Sequence, residues 1–569
     1  MNCCINSTPL KLISLALFAI TFNSNAFGNK PIEKPKLIIQ ITVDQLRGDL
    51  MFRYQDRFVG SGFNYLLNNG TVYRDAHHGH ANTETIVGHA TLATGAHPSN
   101  HGLVGNIWYN RQKGHTVYNI EDSNYVLLTK GASVDKNTEI DPTQKAASVE
   151  GRSPNTIMAS TFSDEMVINS NGNAKVFAVS VKDRGAVSMA GHGGKAFWFS
   201  KKSQEFVSSS YYYNQYPKWL NEWNDKKISD NYKNKKWQLL DEKSTYLFGN
   251  SDDRAWEMDL AGYGRTFPHP LGESKYFSTL LTVSPFGDEM TAGFAKQLIH
   301  HEQLGQDNVT DYLAVSFSAT DYIGHFFGAS SLESEDNILR LDRTLEGFFA
   351  YIDDNIGLDN TVIVLSADHG GPDAPGYLNE HDVQGAYVSP KQWDTLDSII
   401  KLKAELGLKE PLISSYHHPY IYLDQTLIAK NKLDLNDVQD KVAAALLKET
   451  DVYHTVASNK VKTNQLADTQ LNKAIKNNFY PARSGDIYVV FKPQNFINNL
   501  DGLKVASVHG SAWSYDTFVP IIFVGKTIPA KHVYRRVQTV DVAPTLSAIM
   551  AIKPPSASNG VILTEVFNQ

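Results

Sequence analysis

Cysteine is nearly absent: the 569-residue chain has two, Cys3 and Cys4, both ahead of an apolar run. Past that point there is no thiol, which excludes a disulfide scaffold, a thiolate zinc site and a cysteine nucleophile. Any metal must be held by Asp, Glu, His or hydroxyl groups, a donor set that suits zinc bound through nitrogen and oxygen. Long apolar runs are also lacking. The stretch Leu12 to Phe22 has eleven residues, against roughly 20 needed to cross a bilayer. With Lys11 before it and the small Ser24 and Ala26 behind it, the stretch reads as a signal peptide cleaved after Ala26, leaving residues 27–569 exported to the periplasm or medium. Cys3 and Cys4 precede the run, so a lipoprotein anchor is excluded and no stable membrane anchor is expected. Charge of one sign is scarce: 53 Lys and Arg stand against 60 Asp and Glu, a net charge of −7. That balance argues against broad electrostatic binding of nucleic acid. There is no internal repeat and no Pro/Gly/Ser-rich linker.

What is present is a set of apolar, β-branched runs that each stop at polar residues. KLIIQITVD ends at Asp44, KVFAVSVKDR passes through Lys182, YLAVSFSATD ends at Asp321, and TVIVLSADHGG passes through Asp368. A fifth run, FVPIIFVG, follows His509. Each reads as a buried strand. Helical patterns fall between them, such as EDNILRLDRTLEGFFAYIDDNIG, with apolar residues three and four apart. Alternating strand and helix predicts an α/β fold, a mostly parallel central sheet sandwiched by helices. In such sheets ligands sit beyond the carboxyl ends of the strands, where these polar residues fall. Two stretches, about 195–285 and about 375–506, fit the alternation poorly and are expected to be insertions that cap the site.

Asp44, Asp321, His325, Asp368, His369 and His509 are six metal-ligand types at or near strand ends. An Asp after a strand is usually a cap or turn former, so their pattern carries the signal. Asp321 and His325, four apart, would share one face of a helix. Asp368 and His369 are adjacent at a turn that Gly370 and Gly371 make feasible. The cluster His77, His78 and His80 and the pair His417 and His418 are read as ordinary structural histidines. Thr83 and Thr85 both stand just before a plausible helix, whose N-terminus offers free N–H groups and positive dipole to a phosphate.

The segments ITVDQLRGD, TETIVGHATLATGAHPSNHGLVGN, SATDYIGH, LSADHGG and VHGSAWSYDTFVPIIF, in this order, resemble the alkaline phosphatase superfamily from about Leu37 to Leu546. The resemblance implies two zinc ions, one held by Asp321, His325 and His509. The second would be held by Asp44, Asp368 and His369 together with the nucleophile's oxygen. His89 follows Thr85 by four residues, the family register, which selects Thr85 over Thr83. Asn106 falls where related threonine-type enzymes have an amide donor, and Lys182 and Arg184 resemble the Lys-x-Arg pair of the phosphate-irrepressible periplasmic alkaline phosphatases. The implied activity is hydrolysis of small phosphate monoesters through a phosphothreonine. A diesterase or nucleotide pyrophosphatase of the same superfamily is the nearest alternative, and a non-catalytic exported metal- or phosphate-binding protein the alternative of another class. A sulfatase lacks its cysteine here, and a cofactor-independent phosphoglycerate mutase fits neither the leader nor the threonine.

Overall fold

The computed structural model describes Met1 and residues 34–388, 392–497 and 503–567. Apart from Met1, the expected signal peptide, with Cys3 and Cys4, lies outside the described residues. Its strands and helices are built around a nine-stranded sheet whose centre is Leu37–Val43. Asp311–Phe317 and Thr361–Ser366 flank that strand in parallel, and Val176–Ser180 adds to Asp311–Phe317, also parallel. Each is an apolar run buried along its length, as expected of strands covered on both faces. Alternation decides the faces. Leu37, Ile39, Ile41 and Val43 enter one core with the helices Pro285–His301 and Leu332–Asn355. Ile38 faces the other, with Thr85–Thr94, Asp183–Ala190 and Val542–Met550. Each such aliphatic side chain contributes about 1.5–3 kcal/mol, so a buried polar residue among them must be there for another reason.

The FVPIIFVG run is a strand, Phe518–Val524, but it is antiparallel to Thr361–Ser366 and to Gly70–His77. Pro520, which has no N–H to give, falls at the register shift between Val519 and Ile521. The 195–285 stretch begins inside the large sheet, because Lys195–Ser200 and Glu205–Val207 extend its edge. The rest of it buries Trp219, Trp237 and Tyr263 against the Pro285–His301 face. The 375–506 stretch contains a second, four-stranded sheet from Ile413–His417, Tyr420–Leu423, Ile487–Phe491 and Val452–Ala457. With the helices Asp397–Glu405 and Leu435–Leu446 it has its own apolar core.

Candidate active site

The four adjacent parallel strands end on one edge of the sheet and set out the site. Asp44 directly follows Val43; Lys182 lies two residues past Ser180, as the N-cap of Asp183–Ala190; Asp368 lies two past Ser366. After Phe317 the chain enters the helix Ala319–Phe327, which carries Asp321 and His325 one turn apart with Nε2 3.3 Å from Oδ1. His509 arrives from the far side, its Nε2 3.2 Å from the same Asp321 oxygen. The side chains fall into two groups, Asp321, His325 and His509, and Asp44, Asp368 and His369, each with its ligand atoms within 4.8 Å of one another. The His369 and His509 rings stack at 3.6 Å and so join the groups.

The donor set fits metal. Each histidine gives its Nδ1–H to a backbone carbonyl: His325 to Ser507 at 2.9 Å, His509 to Thr83 at 2.8 Å and His369 to Gly370 at 2.8 Å. A carbonyl only accepts, so Nδ1 holds the proton and Nε2 is left to bind, the outer-shell arrangement that orients metal-ligating imidazoles. Burial pushes His369 down to about 3, which keeps the ring neutral. Its Nε2 lone pair then faces Asp44 Oδ1 at 3.4 Å and Asp368 Oδ2 at 3.5 Å. Asp368 is held below the usual carboxylate range, so its contact sets acceptor against acceptor in a buried space, repulsive unless a cation lies between them, and neither His369 Nε2 nor Asp368 Oδ2 has a hydrogen-bond partner.

Three buried carboxylates gather positive charge. Lys182 Nζ stands 2.7 Å from Asp44 Oδ2 and 2.5 Å from Asp321 Oδ2, so the ammonium lies between the two groups. Burial and the neighbouring Asp368 push Asp44 well above the usual carboxylate range. Burial also opposes ionisation of Asp321, but Lys182 and His325 overcome it and hold that carboxyl well below the range. Gln45 was not foreseen from the sequence. It has φ +65°, unusual for a residue with a side chain. Its backbone N–H donates to Asp368 Oδ1 at 3.2 Å and its Nε2 to Asp321 Oδ1 at 3.1 Å, tying the two groups together. Gly324 makes room for it, since a Cβ there would lie 1.8 Å from Gln45 Oε1.

Thr85 opens the helix Thr85–Thr94, whose residues are all buried. Gly88 lets the helix approach the ligand turn, where a Cβ would lie 1.8 Å from the Asp368 carbonyl oxygen. His89 Nδ1 donates to Thr85 O at 2.9 Å and lies 3.1 Å from Asp368 Oδ2. Arg184 Nη2 donates to Thr85 Oγ1 at 3.3 Å, while its Nη1 is held by Asp141 Oδ2 at 2.8 Å. The Thr83 hydroxyl is occupied differently, donating to Ser511 O at 2.8 Å. Asn106 accepts at Oδ1 from Ile86 N at 3.1 Å, which turns its NH2 the other way, and the residue lines the cavity over Thr85. Glu84, just before Thr85, accepts from Asn106 N at 2.6 Å, and burial pushes its carboxyl up to about 7.

A cavity of about 360 Å³ stands over Thr85, Asn106, Arg184, Asp321, His325 and His509, roofed by the second sheet. His418 and His417 line it, but His418 is fixed to Gly510 O and the Tyr416 hydroxyl, and His417 to the Thr116 and Ser415 hydroxyls. His77 bonds Asp75 and Thr517, and His78 bonds Ala367 O and Thr539. These and His80 belong to neither ligand group. Asp141 was missed by sequence reading; its one local signal, D-P-T at the start of the helix Pro142–Lys145, is that of an N-cap.

The sequence model of the type I phosphodiesterase/nucleotide pyrophosphatase family matches residues 38–512, and the chain belongs to that family. Alkaline phosphatase PafA of Elizabethkingia meningoseptica is 31% identical over 99% of this chain and 100% of its own. A Myroides odoratus protein named calcium-transporting ATPase is 33% identical over 96% of this chain and 97% of its own. A crystal structure of wild-type PafA superposes with a TM-score of 0.85 at 30% identity, covering 94% of this chain and 99% of that one. Within the alkaline phosphatase superfamily the chain is therefore of the PafA-like type, and it is an alkaline phosphatase. Among the described residues no helix is long and apolar enough to cross a membrane.

Proposed function

We propose that this chain hydrolyses small phosphate monoesters outside the cytoplasm, through a phosphothreonine at Thr85 and with two zinc ions held by the two ligand groups. The observation that carries the reading is the pairing of two ligand triads, whose imidazoles turn Nε2 toward the carboxylates, with a helix-opening threonine whose hydroxyl meets a buried arginine. Zinc bound by these residues supplies Lewis acidity, lowering the pKa of a hydroxyl or water and offsetting charge on phosphoryl oxygens.

Arg184 Nη2 favours the ionised form of Thr85, since a guanidinium donor strengthens its bond to an alkoxide. Thr85 Oγ attacks phosphorus in line. The bond from phosphorus to the alcohol oxygen breaks, that oxygen keeps the electron pair, and the alcohol leaves with a proton from water. Water then attacks the phosphothreonine, the Thr85 Oγ–P bond breaks, and inorganic phosphate leaves. Through both steps Asn106 Nδ2 and Arg184 Nε, a buried donor with no hydrogen-bond partner, hold the nonbridging oxygens; the Lys182 ammonium, paired here with Asp44 and Asp321, would turn to them once those carboxylates are bound to metal. Ionisation of Thr85 and of water favours turnover above neutral pH.

The family's name points also to diesters. A diester carries an organic group where a monoester has a further anionic oxygen, so it would leave one of these cations unmatched. The chain carries all six candidate ligands and the hydroxyl, which supports this reading over a non-catalytic binder. Export rests on the leader pattern: Lys11, the apolar run Leu12 to Phe22 and the small Ser24 and Ala26. The test is Thr85→Ala, which should retain two zinc ions per chain and lose nearly all turnover of an aryl phosphate. Retained turnover moves the nucleophile, and lost zinc makes Thr85 structural.

A further inference from the structure

The cavity has two unlike ends. Its floor holds Thr85, Asn106, Arg184 and one ligand group, whereas its upper wall presents Tyr416, Val490 and Phe491 of the second sheet together with Ile497 and Leu503. Met258 and Phe326 line the cavity as well, in the apolar cluster that Leu503 packs against. Among the described lining residues Arg184 is the one Lys or Arg, and it sits on the floor against Asp141. The lining acids are engaged by protein: Glu84 by Asn106 N at 2.6 Å, Asp516 by the Ser511 N–H and hydroxyl at 2.8 and 2.6 Å. His417 and His418 stay neutral, both pushed down to about 4 by burial. A second phosphate or a carboxylate on the substrate would find no cation on this wall, and a polyhydroxylated group would exchange water for apolar surface.

We propose that this wall is the subsite for the alcohol half of the substrate, and that it selects aryl and medium-length alkyl phosphates over sugar phosphates and polyphosphorylated nucleosides. The inference rests on the monoesterase reading, because the phosphate must sit on the floor for the alcohol to reach the wall. Ile497 and Leu503 are the test positions, being half-buried and outside the catalytic floor.

Ethyl, butyl and hexyl phosphate release alcohols of near-equal acidity, so differences among them report binding of the chain. Zinc-loaded full-length protein should show kcat/KM rising by up to about fourfold for each methylene that leaves water, with hexyl at least about tenfold over ethyl. Glycerol 3-phosphate should fall below butyl phosphate. In Ile497→Asn and Leu503→Asn the hexyl-to-ethyl ratio should shrink toward one; a variant that merely folds poorly lowers both rates and keeps the ratio. Turnover of every ester with a flat series, or a preference for glycerol 3-phosphate, overturns the subsite alone. A ratio unchanged in both variants overturns it as well, and no turnover of any monoester overturns the functional reading together with it.

Discussion

Asp141 fixes the guanidinium that meets Thr85, the proposed nucleophile, and removing its charge is a sharp perturbation. Arg184 is buried to 3% exposure, with Nη1 2.8 Å from Asp141 Oδ2 and Nη2 3.3 Å from Thr85 Oγ1. Burial alone would favour a neutral Asp141, but Arg184 and the Thr143 hydroxyl hold its carboxyl below the usual range. The carboxylate is therefore charged at every pH at which the enzyme works. Asp141→Ala leaves a buried guanidinium without its counter-charge, at a cost of ~3–5 kcal/mol in stability. Asp141→Asn keeps the shape and an acceptor oxygen, so its effect on activity isolates the charge. If Arg184 then loses one charge-assisted bond to the reacting oxygens, worth ~1.5–3 kcal/mol, kcat/KM for an aryl phosphate falls roughly tenfold to hundredfold. Steady-state kinetics beside thermal unfolding read both effects, and Asp141→Glu should recover part of the rate. If Asp141→Asn folds cooperatively and stays within about twofold of the parent, Arg184 is not positioned by Asp141 and the reasoning fails.

Gln45→Ala removes the amide that ties Asp321 to the Asp44 and Asp368 side; zinc affinity measured by competition with a chelator should weaken about 10–100-fold, as for other outer-shell partners, and unchanged affinity would make Gln45 a bystander. Gly88→Val should abolish zinc retention by the Asp44, Asp368 and His369 group, because a side chain would collide with the Asp368 carbonyl; metal analysis of the purified variant decides it. Outside the catalytic floor, burial and the nearby Glu333 push Glu257 up to about 9. A raised carboxyl contributes stability that is full below its unfolded value near 4.5 and lost as pH rises toward 9, at up to about 1.4 kcal/mol per pH unit. The unfolding midpoint should therefore fall between pH 5 and 9, and more shallowly in Glu257→Gln; equal slopes would refute the assignment.

The strands that place Asp44, Lys182, Asp321 and Asp368 were legible because each is a short apolar run with a polar stop, and burial on both faces leaves that mark in sequence. The direction of Phe518–Val524 was not, since an apolar run looks the same in either orientation and pairing partners come from distant segments. Lys195–Ser200 was hidden at the head of an aromatic-rich stretch. Both ligand groups could be written from ordered motifs, but their supports could not. Asp141 reads locally as a helix cap, and nothing near it announces that Arg184, 43 residues on, will meet it. Gln45 depends on a backbone angle that side-chain identity does not reveal. Lys182 could be matched to a phosphate role by motif, yet its two carboxylate neighbours appear only once three acids are buried together.

The most direct test of the central claim is a side-by-side measurement of kcat/KM for an aryl phosphate, the corresponding diester and the aryl sulfate, using one preparation of zinc-loaded protein of known metal content. The account predicts two zinc ions per chain and a monoester rate roughly tenfold to hundredfold above the other two, as the loss of one buried charge-assisted contact worth ~1.5–3 kcal/mol implies. A diester rate equal to or above the monoester rate would contradict it.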